Sequence, residues 1–144
     1  MQPITDALEL LTAQHDDIDV LLTAIDQAPS PGRRSQLITD LADQVTIHLA
    51  VEQELFYPAV SMLSDDVLAE HAEIKRVLAD LLWRVHDERG GHTLARLRNL
   101  LSAHATRQEG EVFETIAETR TRAELAQIGD DITGWLVGLI VAAA

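Results

Sequence analysis

Cysteine is absent from this 144-residue chain, which removes disulfides, thiolate metal sites and thiol nucleophiles together. Aromatic residues are only 3%, too few for a base-stacking or sugar-binding surface. Positive charge is scarce: 11 Lys plus Arg against 24 Asp plus Glu leave a net charge of -13. Nucleic acid and an anionic membrane both need a basic face, so neither is expected as a partner. Long apolar runs are missing as well. The longest, Trp135 to Ala144, falls short of the ~20 residues of a membrane span. The opening Met1-Gln2-Pro3-Ile4-Thr5-Asp6 has neither the basic start nor the apolar stretch of a secretory signal, so the cytoplasm is the expected compartment. What remains is an acidic chain of a length that suits one domain, 1–144, burying roughly 70% of its unfolded surface. A metal in such a chain must rest on His, carboxylate or other oxygen ligands.

Strand-like alternation is also lacking, while apolar residues recur at helical spacing almost throughout. A first helix is expected from about Asp6 to Gln27, opened by Asp6 and Glu9 as a capping box and closed by Ala28-Pro29-Ser30-Pro31-Gly32. A second starts near Ser35 and runs through Leu55, with Pro58 kinking or ending it. A third begins after Ser64-Asp65-Asp66 and stops at Gly90-Gly91; a fourth runs from Thr93 to about Glu118. Thr121 with Glu124 caps a fifth, which ends in the apolar tail. Short loops make consecutive helices antiparallel neighbours. The expected fold is all-α: an up-down-up-down four-helix bundle over about 5–118 and an additional C-terminal helix over about 121–143. No internal repeat and no low-complexity segment is expected.

Each of the first four helices carries one histidine on its apolar stripe: His15, His48, His71 and His104. Offsets of three, four and seven residues from Leu11, Ile18 and Leu22, and from their counterparts on the other helices, put all four imidazoles on the core face. Counting about 1.5 Å of rise per residue up one helix and down the next sets His15, His48 and His104 nearly level, with His71 roughly 7 Å lower. Glu52, four residues after His48, reaches the level of His71. A single such histidine is ordinarily a core residue bonded to a carbonyl. Four on facing stripes would leave several unmet hydrogen bonds, a need that a transition metal meets directly. HExxH and Glu-x-x-His are both absent, so neither a zincin protease nor a ferritin-like ligand set applies.

These segments resemble the hemerythrin-like family, the HHE cation-binding domain. The resemblance rests on Gln14-His15-Asp16, on His48-Leu49-Ala50-Val51-Glu52 leading to Phe56-Tyr57-Pro58, on Glu70-His71-Ala72-Glu73, and on His104-Ala105-Thr106-Arg107-Gln108-Glu109. It implies a four-helix bundle around a non-haem di-iron site held by four histidines and two carboxylates in the pattern H…HxxxE…H…HxxxE. His15, His48, Glu52, His71 and His104 match five of those ligands. One histidine pair would hold each iron, Glu52 would bridge them, and a bridging oxygen species would complete the site. The sixth position departs: Gln108 stands four residues after His104, and Glu109 stands at five. A regular helix turns Glu109 about 140° from His104, whereas a π-bulge, aided by Gly110, would bring it round. The need for negative charge beside two cations favours Glu109 over Gln108. Glu111, two turns on, is a third choice. Lys75 occupies the place where oxygen-carrying members have a fifth histidine, so the carrier set is incomplete.

The expected function is therefore a di-iron protein that binds or senses dioxygen or a related small oxidant. One alternative is a redox enzyme that handles peroxide or nitric oxide; another is a mono-metal or metal-free bundle acting in protein interaction. The apolar C-terminal helix offers one route to a homodimer, though the sequence does not fix the oligomeric state. Asp19 and Tyr57 are weighed as outer partners of the site, and read instead as a surface acid and end-of-helix packing. His86 and His92 are read as surface residues; Trp83 and Trp135 as packing residues.

Overall fold

The computed structural model describes residues 5–144 and contains five helices and, among the described residues, no strand. Helix α1 spans Ala7–Asp26, and the Asp6 carboxylate accepts from the Glu9 amide at its start. Helix α2 begins at Pro31, four residues ahead of the sequence expectation. Ser30 caps it through the Arg33 amide, and Pro31 takes a first-turn position where no amide proton is required. The same prolines that end α1 thus open α2. Helix α2 runs as regular α-helix over Pro31–Val51, widens into a π turn over Glu52–Phe56 and finishes with Tyr57–Ala59. Pro58 therefore follows a distortion that begins six residues earlier.

Helix α3 spans Asp65–Trp83 and is capped by Ser64 through the Val67 amide. Helix α4 comprises Gly90–Arg107, a second π turn over Gln108–Val112, and Phe113–Thr119. Gly90 opens α4 instead of stopping α3: a Cβ there would sit 2.6 Å from the Arg84 carbonyl oxygen, so only glycine allows this tight approach. Helix α5 spans Arg122–Ala143, with Thr121 capping it through the Glu124 amide.

Helix α1 packs on α2, α2 on α3, α3 on α4, and α4 returns to α1. Two apolar clusters fill the interior. One holds Ile18, Leu22, Leu41, Ile74, Leu78 and Leu97; the other holds Leu11, Phe56, Tyr57, Phe113, Ile116 and Ile132. Burying each large aliphatic side chain contributes about 1.5–3 kcal/mol. Helix α5 covers the second cluster by lying on α1 and on the α2 π turn. Gly129 makes this possible, since a Cβ there would lie 2.5 Å from the Thr5 carbonyl oxygen. Trp135 packs on that cluster, but Trp83, at the end of α3, is 87% exposed and is not a packing residue. On length and composition alone α5 could cross a membrane, a property the count of consecutive apolar residues misses because Asp130 and Asp131 interrupt the run. Its first half is built into the domain through Leu125, Ile128 and Ile132.

Candidate metal centre

Between the two apolar clusters lies a buried polar layer. His15, His48, Glu52, His71, His104 and Gln108 are the buried polar residues of the described chain, each no more than 5% exposed. One face of each of the four bundle helices supplies them, as the apolar stripes require. Ligand atoms of His15, His48, Glu52 and His104 lie within 4.8 Å of one another. Glu52 is the hub. Its Oε1 is 2.7 Å from His48 Nε2 and 3.2 Å from His104 Nε2, and its Oε2 is 3.1 Å from His71 Nε2. The imidazoles crowd around it, with ring centroids 4.7 Å apart for His15 and His48 and 6.0 Å for His71 and His104.

His71 stands somewhat apart from the other three, outside the 4.8 Å group, and meets Glu52 Oε2 as its expected lower level implies.

Every imidazole is held from behind through Nδ1. His48 pairs with Gln14 Oε1 at 2.7 Å, His71 with Gln53 Oε1 at 3.3 Å, His104 with Glu70 Oε1 at 2.5 Å and His15 with Glu109 Oε2 at 3.0 Å. These acceptors favour a proton on Nδ1 of each ring, so a metal in the layer would be met by Nε2, in place of the Nε2 protons that His48, His71 and His104 otherwise give to Glu52. Among the described residues, two buried side-chain polar atoms have no partner: His15 Nε2 and Gln108 Oε1. Both are atoms with lone pairs, and a cation would satisfy them. The donor set therefore fits a transition metal.

The comparisons with known proteins agree. The model of the hemerythrin HHE cation-binding domain matches residues 6–116. The chain belongs to this family. Uncharacterized proteins of Mycobacterium bovis and of two Mycobacterium tuberculosis strains are each 28% identical over 131 residues, which is 87% of this chain and 81% of theirs. No solved structure gives a significant match. Membership supplies cation binding, typically of iron, and the buried His and Glu cluster is a site of matching chemistry.

The sixth position of this hemerythrin domain differs from the expectation. A π turn does form at Gln108–Val112, but it begins too late to rotate Glu109 inward. The Gln108 amide still bonds to the His104 carbonyl, so Gln108 stays one turn beyond His104 and on the same face. Gln108 is fully buried and its Nε2 donates to Tyr57 Oη at 3.1 Å. The Glu109 side chain is 39% exposed and sits behind His15 instead of among the facing atoms. Glu111, Lys75 and Asp19 are exposed. Tyr57 is a neighbour of the layer through Gln108, not merely helix-end packing. His86 and His92 are on the surface.

Burial works against charge throughout this layer, and the close contacts oppose it. Burial pushes the Glu52 carboxyl up, but the His48 charge and hydrogen bonds from His104, His48 and His71 hold it well below the usual carboxylate range. Burial pulls His104 down, yet hydrogen bonds to Glu52 and Glu70 carry it to about 9. His15 is lowered by burial and by the neighbouring His48. Burial and the Glu52 charge push Tyr57 up to about 12, so it remains a neutral phenol.

Sequence reasoning passed over Gln14, Gln53 and Glu70, and a signal for them was present. A spacing of 33 residues separates His15 from His48 and also His71 from His104. Moving 56 residues along from Gln14, His15, His48, Glu52 and Gln53 reaches Glu70, His71, His104, Gln108 and Glu109. The chain carries an internal repeat after all, hidden because its matched residues are sparse and polar while the helices between them diverge.

Proposed function

We propose that this hemerythrin domain holds a non-haem di-iron centre and uses it to bind or sense dioxygen or a related small oxidant. The carrying observation is the set of four buried imidazoles, each anchored through Nδ1, turned around one carboxylate that reaches three of them. In this reading His15 with His48 and His71 with His104 would hold the metal, with Glu52 the carboxylate placed between the two pairs. Iron supplies the redox chemistry when bound. The chain's own residues hold the imidazoles in one tautomer and exclude water from the layer. A cavity of about 10 Å³ bordered by His15, Ile18, His48, Leu101 and His104 is at the lower limit for one water molecule, so any small ligand must be of about that size. The finer up-down-up-down order of the bundle is supported by its short connections and its ring of helix contacts.

A cytoplasmic setting without a nucleic-acid partner is consistent with the charge of -13. Exposed Val137, Ile140 and Val141 on α5 support a homodimer through that helix. Gln108 in place of a second carboxylate favours one rival, a centre that retains a single metal. Elemental analysis after anaerobic ferrous loading, with an optical spectrum on exposure to air, tests the proposal. About two irons per chain and a spectral change are expected. One iron per chain would establish the rival, and none would overturn the metal reading.

A further inference from the structure

The carboxylate missing at Gln108 has a counterpart one layer out. In the first half of the chain the inward group is the anion Glu52, and the groups behind His48 and His71 are the amides Gln14 and Gln53. In the second half the inward group is the amide Gln108, and the groups behind His104 and His15 are the anions Glu70 and Glu109. Acid and amide have changed places at all three matched positions. The exchange distributes evenly: of the pair His15 and His48, one imidazole is backed by a carboxylate, and of the pair His71 and His104, again one.

Resting on the iron reading above, we infer that Glu70 and Glu109 are positioning residues that replace, through His104 and His15, the negative charge which Gln108 does not supply to the metal pair. The physical reason is the hydrogen bond itself. An imidazole whose Nδ1–H donates to a carboxylate is a stronger electron donor at Nε2 than one donating to an amide. A charge delivered this way stabilises the more oxidised metal without occupying a coordination position. Arg107 forms an ion pair with the far oxygen of Glu70, so the same network contains a group that opposes Glu70. The Glu70 side chain is 20% exposed and that of Glu109 is 39% exposed, so both charges act from partly screened positions and both are needed.

The test uses the full-length, iron-loaded protein and two readouts, the reduction potential and the rate of iron release to a chelator. Glu70→Gln and Glu109→Gln keep an oxygen that can accept from Nδ1 and remove only the charge. Each should raise the potential and speed release several-fold, and the double variant should release iron more than tenfold faster, within the usual range for outer partners of a metal ligand. Arg107→Gln should lower the potential, the opposite sign. Adding Gln108→Glu to the double variant should bring both readouts back toward those of the unaltered protein. Unchanged potential and release in the double variant, at normal iron loading, would overturn the inference, as would failure of Gln108→Glu to restore them. If the unaltered protein takes up no iron at all, the iron reading itself fails, and this inference with it.

Discussion

The two halves of the bundle, α1 with α2 and α3 with α4, share a scaffold and differ in where their charge lies. Ile18 and Ile74, Leu22 and Leu78, and Leu41 and Leu97 are matched at the 56-residue spacing, and all six are buried in one cluster. Both halves widen into a π turn at the residue four beyond the second histidine, Glu52 in one and Gln108 in the other. The apolar frame is thus duplicated, while acid and amide are exchanged between inner and outer positions. Packing requires shape at each position, and a Glu and a Gln have nearly the same shape. Electrostatics distinguishes them, so charge can be redistributed on a frame that stays constant.

The largest effect expected from breaking this comparison comes at Glu52, the one inward anion. Glu52→Ala should lose the paired metals altogether, whereas Glu54→Ala, on the exposed side of the same π turn, should leave iron content unchanged. Iron per chain in each variant is the measurement, and equal losses would mean that α2 does not turn its Glu52 face to the site. Next come Leu41→Ala and Leu97→Ala, matched positions that are both fully buried. Each should cost about 2–5 kcal/mol in denaturant unfolding of the metal-free protein. The two values should lie close together if the frame is duplicated in energy as well as in spacing.

Gln108→Glu makes the second half resemble the first, and its effect should change sign with the metal. Without iron it adds a second buried anion near Glu52 and should lower stability by about 1–3 kcal/mol. With iron it should slow release to a chelator, because two cations then face two carboxylates. Melting temperatures with and without iron reveal the crossing; a variant that is less stable in both states would contradict the idea that Gln108 faces the metal.

The smallest effect concerns protons. His104 holds its proton up to about pH 9 in the metal-free protein, and a metal must displace that proton to bind at Nε2. Metal affinity should therefore rise by up to about tenfold per pH unit as pH increases toward 9, and level off above it. Glu70→Gln removes one of the carboxylates that carry His104 upward, so the levelling point should move to lower pH. Titrating metal uptake at several pH values in both proteins checks the direction.

Much of the bundle was legible in local patterns. Apolar spacing located all five helices, and Asp6, Ser64 and Thr121 marked starts that the structure keeps, because a cap needs only a side-chain oxygen three residues before an open amide. Pro31 and Gly90 misled because each permits opposite readings. A proline ends one helix or opens another, and a glycine stops a helix or admits a close carbonyl, depending on what lies beside it.

Sequence by itself determined which residues enter the polar layer. The position of His15, His48, Glu52, His71 and His104 on apolar stripes forces them inward wherever the helices pack; Gln108, also buried, was passed over in favour of Glu109. Tertiary structure alone decided what stands behind each of them. Glu109 looked like a ligand because a cation needs charge, but whether a side chain faces the metal or the back of an imidazole depends on where a π turn begins and which helix lies opposite. His15 is 94 residues away from Glu109 in the chain, and only packing of α1 against α4 brings the Nδ1–H and the carboxylate to 3.0 Å. Helical periodicity fixes direction within one helix; the relation between two helices is set by the core they share.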